Sequence, residues 1–163
     1  MANTQSMTTS FMGDLLVGQQ QFGPATLVSR TSLTSPTTDT FYAALYLASA
    51  TINAGTTVYT TSGEVTGTGY TAGGVAITNA NAPTATNSSA TAGVAYWTPS
   101  ASIVYTTVTL ATAFDCVLVY NSTQGGKSVS VHTFGSQTVT AGTFTLTMPA
   151  NSTTTALIRL ATT

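Results

Sequence analysis

The chain has 163 residues with 3 Lys or Arg, 4 Asp or Glu and a net charge of −1, so 4% of it is charged where an ordinary soluble protein has about 25%. That shortage excludes a phosphate-tracking nucleic-acid surface, because Arg30, Lys127 and Arg159 cannot form a basic stripe, and it excludes an anionic membrane surface as partner. With 38 Thr and 16 Ser against 42% hydrophobic residues, the chain is too apolar for disorder and too poor in Ala, Glu, Lys and Leu for a helical bundle. One domain held by burial and sheet hydrogen bonds is expected, since the single Cys116 allows no intrachain disulfide.

In chain order, residues 1–9 read as a polar N-terminal arm, with neither the basic nor the apolar region of a secretory signal. A short helix is predicted from about Ser10 to Phe22: Ser10 caps it, Asp14 sits near its positive end, and Phe11, Leu15, Gly18 and Phe22 recur on one face. Gly23-Pro24 stops it.

Everything that follows predicts strands. Phe41–Ser49 is an apolar, aromatic run suited to a buried strand, followed by Thr56–Thr61, Val75–Thr78, Val94–Trp97, Ile103–Leu110, Phe114–Tyr120, Ser128–Phe134, Phe144–Met148 and Ala156–Leu160. Residues 79–93 predict a long exposed loop. In Phe144–Met148 the apolar side chains alternate with threonines, and Val129–Thr133 shows the same two-residue period, so both predict half-buried strands. Turn residues Asn121–Gly126 predict a hairpin between the strands that carry Cys116 and His132. The fold class expected is mainly β: a single-domain antiparallel β-sandwich or jelly roll over residues 10–163, with one short N-terminal helix.

Several segments imitate reactive motifs. Asn121–Ser128 approaches a phosphate-binding loop but lacks its first glycine and runs on into a strand. Gly67-Thr-Gly-Tyr-Thr-Ala72 imitates a dinucleotide fingerprint without a βαβ unit around it. Cys116 with His132, or a serine with His132 and Asp115, are the candidates for nucleophilic catalysis, yet Cys116 lies among Phe114, Val117 and Leu118, a setting that makes a thiol inert. The acids Asp14, Asp39, Glu64 and Asp115 have no metal-ligand spacing. Tyr96, Trp97 and Tyr105 suit either a core or a sugar-binding platform. The sequons at Asn87, Asn121 and Asn151 are no more than this composition produces by chance. No catalytic, cofactor or metal residue is assigned, and an enzyme is not expected. A neutral β-protein without charged edge strands is expected to associate into an ordered assembly.

The segments Ser10–Gly18, Asp39–Tyr46, Thr57–Gly74, Ala113–Asn121 and Phe134–Pro149 resemble, in matching order, small virion proteins of tailed bacteriophages. This chain departs from them at Tyr42, where relatives carry Lys, and in its poverty of charge. The resemblance implies a head decoration or cement subunit: a β-rich domain, made in the bacterial host cytoplasm, that sits on the capsid as a homo-oligomer, often a trimer. Its implied partner is the major capsid protein, with no cofactor, no nucleic acid and no membrane. The alternative from another class is a host-recognition module on the tail or a fibre, using the loop at 79–93 and Trp97. On the decoration reading the arm extends the contact area, and its deletion is expected to weaken incorporation while leaving the β domain folded.

Overall fold

The computed structural model describes residues 3–16, 20, 22, 38–86 and 93–161. The protein is mainly β, with strands β1 (Ser6–Met7), β2 (Phe41–Leu47), β3 (Val75–Ala76), β4 (Thr84–Ala85), β5 (Val94–Trp97), β6 (Ile103–Asn121), β7 (Lys127–Leu146) and β8 (Ile158–Ala161), and one helix, α1 (Thr9–Leu16). All described pairings are antiparallel. They form a five-stranded sheet in the order β1-β7-β6-β2-β3 and a three-stranded sheet in the order β4-β5-β8. Trp97 and Ile158 of the small sheet share one core cluster with Phe41, Leu45, Val117 and Val119 of the large one, the packing of a β-sandwich.

Where β2 pairs with Cys116–Tyr120 of β6 the large sheet is covered on both faces, which explains the unbroken apolar runs of these two segments. Phe41, Ala43 and Leu45 of β2 enter the cluster beneath the small sheet and α1. Ala44 and Tyr46 enter a second cluster with Cys116, Leu118, Tyr120 and Val131, roofed by Ala50 and Ile52 of the following loop. Phe11 of α1 is fully buried, and Phe22 stacks on Phe41 with ring centroids 4.4 Å apart.

The predicted pairs of short strands are continuous. Ile103–Leu110 and Phe114–Tyr120 are both parts of β6, and Ser128–Phe134 and most of Phe144–Met148 are parts of β7. Bulges take up the irregularities that look like breaks in the sequence. Between Tyr105 and Val108 the register shifts, with Thr107 in the left-handed region at φ 52°, and the extra residue returns Val108 and Leu110 to the core face after Ile103 and Tyr105. The last of the five shifts in this ladder lies opposite Val119–Tyr120. It sends Val129 into the first cluster and Val131 into the second, so the expected one-faced pattern of Val129–Thr133 does not hold there. In Phe144–Met148 the alternation does hold, with Phe144, Leu146 and Met148 packed on the core and Thr145 and Thr147 exposed.

Four other expectations need correction. Residues 3–9 are not a projecting arm: β1 pairs with Ser130 and Val131, Thr8 is completely buried, and the Asn3 side chain bonds the Ile52 amide, the Leu47 carbonyl and Asp115. The described helix is shorter than predicted, Thr9–Leu16, and Asp14 lies beyond its first turn, where it pairs with Lys127 at 2.9 Å. The predicted stop at Gly23-Pro24 and the face position Gly18 lie outside the described residues. The segment 56–61 makes one isolated bridge, Val58 to Lys127, in place of a strand. The predicted loop at 79–93 contains β4, which pairs with β5; residues 87–92 lie outside the described residues.

Candidate functional site

The hairpin that joins β6 to β7 brings the strands of Cys116 and His132 side by side but does not bring their side chains together. Cys116 is opposite Thr133 and belongs to the second cluster, whereas His132 is opposite Val117, whose side chain belongs to the first. Because successive side chains point to opposite faces, thiol and imidazole are separated by the sheet. Burial pushes the Cys116 thiol up to about 12 and His132 down to about 4, so each is held in its neutral form near pH 7. Ser130 Oγ lies 2.8 Å from His132 Nε2, but Ser130 is itself buried, and Asp115 accepts from Asn3 Nδ2 at 2.6 Å. His132 borders a cavity of about 140 Å³ whose other walls include Ile103, Val119, Phe134 and Leu157.

The most ordered polar centre was not anticipated from the sequence. Glu64 is buried, and its Oε1 accepts from the Tyr70 hydroxyl and the Gly73 amide, both at 2.7 Å, while Oε2 accepts from the Tyr59 hydroxyl at 2.6 Å. Burial first, and then this carboxylate, raise the Tyr59 and Tyr70 phenols well above their usual range, so both remain donors. Tyr120 donates to the Gly73 carbonyl at 2.8 Å and Tyr105 to the Ala43 carbonyl at 2.8 Å. These bonds clamp residues 59–74 onto β2 and β6. The glycines of the apparent dinucleotide fingerprint serve the same clamp: a Cβ on Gly67 would stand 2.1 Å from the Thr109 carbonyl oxygen, and one on Gly69 2.3 Å from that of Thr107. The signal in the sequence is a lone acid between Tyr59 and Tyr70 in a glycine-rich stretch, a pattern that acquires meaning only after folding.

The apparent phosphate-binding loop is a hairpin turn. Gly125 and Gly126 have φ of 68° and 80°, the Gly126 amide returns to the Asn121 carbonyl at 2.9 Å, and the chain continues as β7. Its lysine faces Asp14, and the buried Asn121 amide donates to Gln20 at 2.8 Å and Asp39 at 2.7 Å. This is a polar knot that ties α1, β2 and the hairpin together, and it leaves Asn121 inaccessible as a sequon. Trp97 and Tyr105 are both 2% exposed, so neither offers a platform to a sugar; the Trp97 indole donates to the Asn81 carbonyl at 3.0 Å.

What faces outward is nearly neutral. Asp14, Asp39 and Glu64 are buried, Lys127 is paired, and Asp115 is half-buried; Arg159 is the one exposed charged residue among the described residues. Among those residues no three His, Cys, Asp or Glu side chains gather as metal ligands, and no helix is long and apolar enough to cross a membrane. The exposed positions of the outer hairpin are mainly hydroxyls, as at Thr106, Thr112, Ser136, Thr138, Thr143 and Thr145. No protein-family model, curated protein or solved structure matches the chain.

Proposed function

We propose that the chain is a structural protein of a bacteriophage virion, a capsid decoration or cement subunit that stabilises the head by binding the major capsid protein. The observation that supports this reading best is the inward turn of the charges: three of the four acids are buried on tyrosines, amides or a lysine, and the surface left to solvent is hydroxyl-rich and almost uncharged. Such a surface gives little repulsion between copies or against a shell, and area rather than reactive chemistry supplies the binding.

The subunit acts as a homo-oligomer, with a trimer favoured by the resemblance described above. The test is binding of the purified chain to phage heads that lack it. Co-sedimentation at saturating, symmetry-matched stoichiometry and a raised disruption temperature of the heads are expected. Failure to bind heads, with binding to tails or host cells instead, would replace this reading by the host-recognition one.

A further inference from the structure

The sheet edges are protected unequally. β1, β3 and β4 are edges of two residues each, and β8 is four residues long and carries Arg159. Shortness and charge are the usual defences of an edge strand. β7 has neither. Its outer edge is covered only at its start, by residues 57–58 at Lys127 and Ser128, Thr8 at Val129 and β1 at Ser130 and Val131, and from Thr133 to Leu146 no described strand pairs with that edge. Those residues, Thr-Phe-Gly-Ser-Gln-Thr-Val-Thr-Ala-Gly-Thr-Phe-Thr-Leu, contain no charge and no proline, and Ser136, Thr138, Thr140, Thr143 and Thr145 are all exposed. Ala141, at φ 46°, divides the edge into two extended runs, Ser136–Thr140 and Thr143–Leu146.

We propose that this outer edge of β7 receives an extended segment of a second copy of the same chain, extending the sheet across the contact. Backbone amides and carbonyls supply the affinity in such strand addition. Charge selects the occupant. An edge without charges offers nothing to select an acidic or basic partner, whereas neutral, threonine-bearing surfaces of identical copies meet without repulsion and with hydroxyls available for cross-strand pairs. The proposal rests on the reading of the chain as an oligomeric subunit and specifies which surface joins the copies.

The test is sedimentation of the full chain beside Thr138→Lys/Thr145→Lys, which places one lysine in each run at exposed positions. The unmodified chain is expected to be oligomeric, and the double variant to dissociate at least about tenfold more readily with an unchanged circular-dichroism spectrum. Should the variant misfold, amide exchange on the unmodified chain decides: protection of residues 136–146 must rise with protein concentration. A monomeric unmodified chain, an oligomer indifferent to both lysines, or exchange independent of concentration would each overturn the proposal. Failure of the virion reading is separate: an oligomer broken by the lysines that never binds heads removes that reading and leaves this contact standing.

Discussion

The Tyr70 hydroxyl donates to Glu64 Oε1 at 2.7 Å and accepts the Leu45 amide at 3.0 Å, so a single phenol fastens a buried carboxylate to the central strand β2. With Tyr59 and the Gly73 amide on the same carboxylate, the loop from 59 to 74 is held by one side chain that two phenols and a backbone amide satisfy.

Replacement of Glu64 should therefore be costly in proportion to the donors left unpaired. Glu64→Ala strands three donors and is expected to lower stability by about 3–5 kcal/mol, whereas Glu64→Gln keeps one acceptor oxygen and should cost less than half as much. Urea unfolding of the two variants measures the difference. Equal and small losses would show that the carboxylate does not hold the loop.

Two glycines separate steric conflict from backbone strain. A Cβ at Gly74 would lie 1.7 Å from the Ala43 carbonyl oxygen at φ 75°, while Gly125 has φ 68° with nothing within 4 Å. Gly125→Ala is expected to cost about 1 kcal/mol, and Gly74→Ala several times more or to prevent folding, because β2 itself must move. Thermal unfolding of both variants provides the comparison.

His132 gives the stability a defined dependence on pH. Its folded pKa, pushed down to about 4 by burial, lies below the unfolded value near 6.5, so between these values the unfolded chain binds a proton that the folded chain refuses. Its contribution is fully present above about pH 6.5 and is lost as pH falls towards 4, by at most about 3 kcal/mol. His132→Gln should flatten that part of the profile. An unchanged slope would assign it to other groups.

Cys116 should be silent in the folded protein. Its thiol is fully buried and pushed up to about 12, so thiol reagents at pH 8 are expected to label it only after unfolding, at a rate that follows the unfolding equilibrium. Rapid labelling of the folded chain would contradict this placement.

Removal of residues 1–9 should lower the melting temperature, contrary to the expectation for a free arm. Thr8 contributes a buried hydroxyl and a backbone bond to Val129, and Asn3 bridges Asp115 and the loop at Ile52. A truncated protein that melts like the full chain would restore the free-arm picture.

Much of the fold was readable in the sequence, because threonine, valine and tyrosine in short apolar runs leave few alternatives to sheet. Phe41–Leu47, Val94–Trp97 and the turn at Asn121–Gly126 stand where local pattern puts them. The long strands were not readable, since Ala111–Ala113, Gly135 and Gly142 look like breaks, whereas register shifts within β6 and β7 carry the ladder past them. The segregation of Cys116 from His132 depends on register, and a shift of one residue decides the face. The Glu64 centre gathers donors five, six and nine residues away along an irregular loop, a spacing with no helical or strand period to reveal it. The neutral surface was half readable: composition shows how few charges exist, and only the fold shows that three of the four acids turn inward.

The most direct measurement is the location and copy number of this chain in an electron-microscopy map of the intact particle. The account predicts many symmetry-related copies on the outside of the head, each bridging neighbouring major capsid proteins. Density for a few copies on the tail or a fibre, or none on the particle, would contradict it.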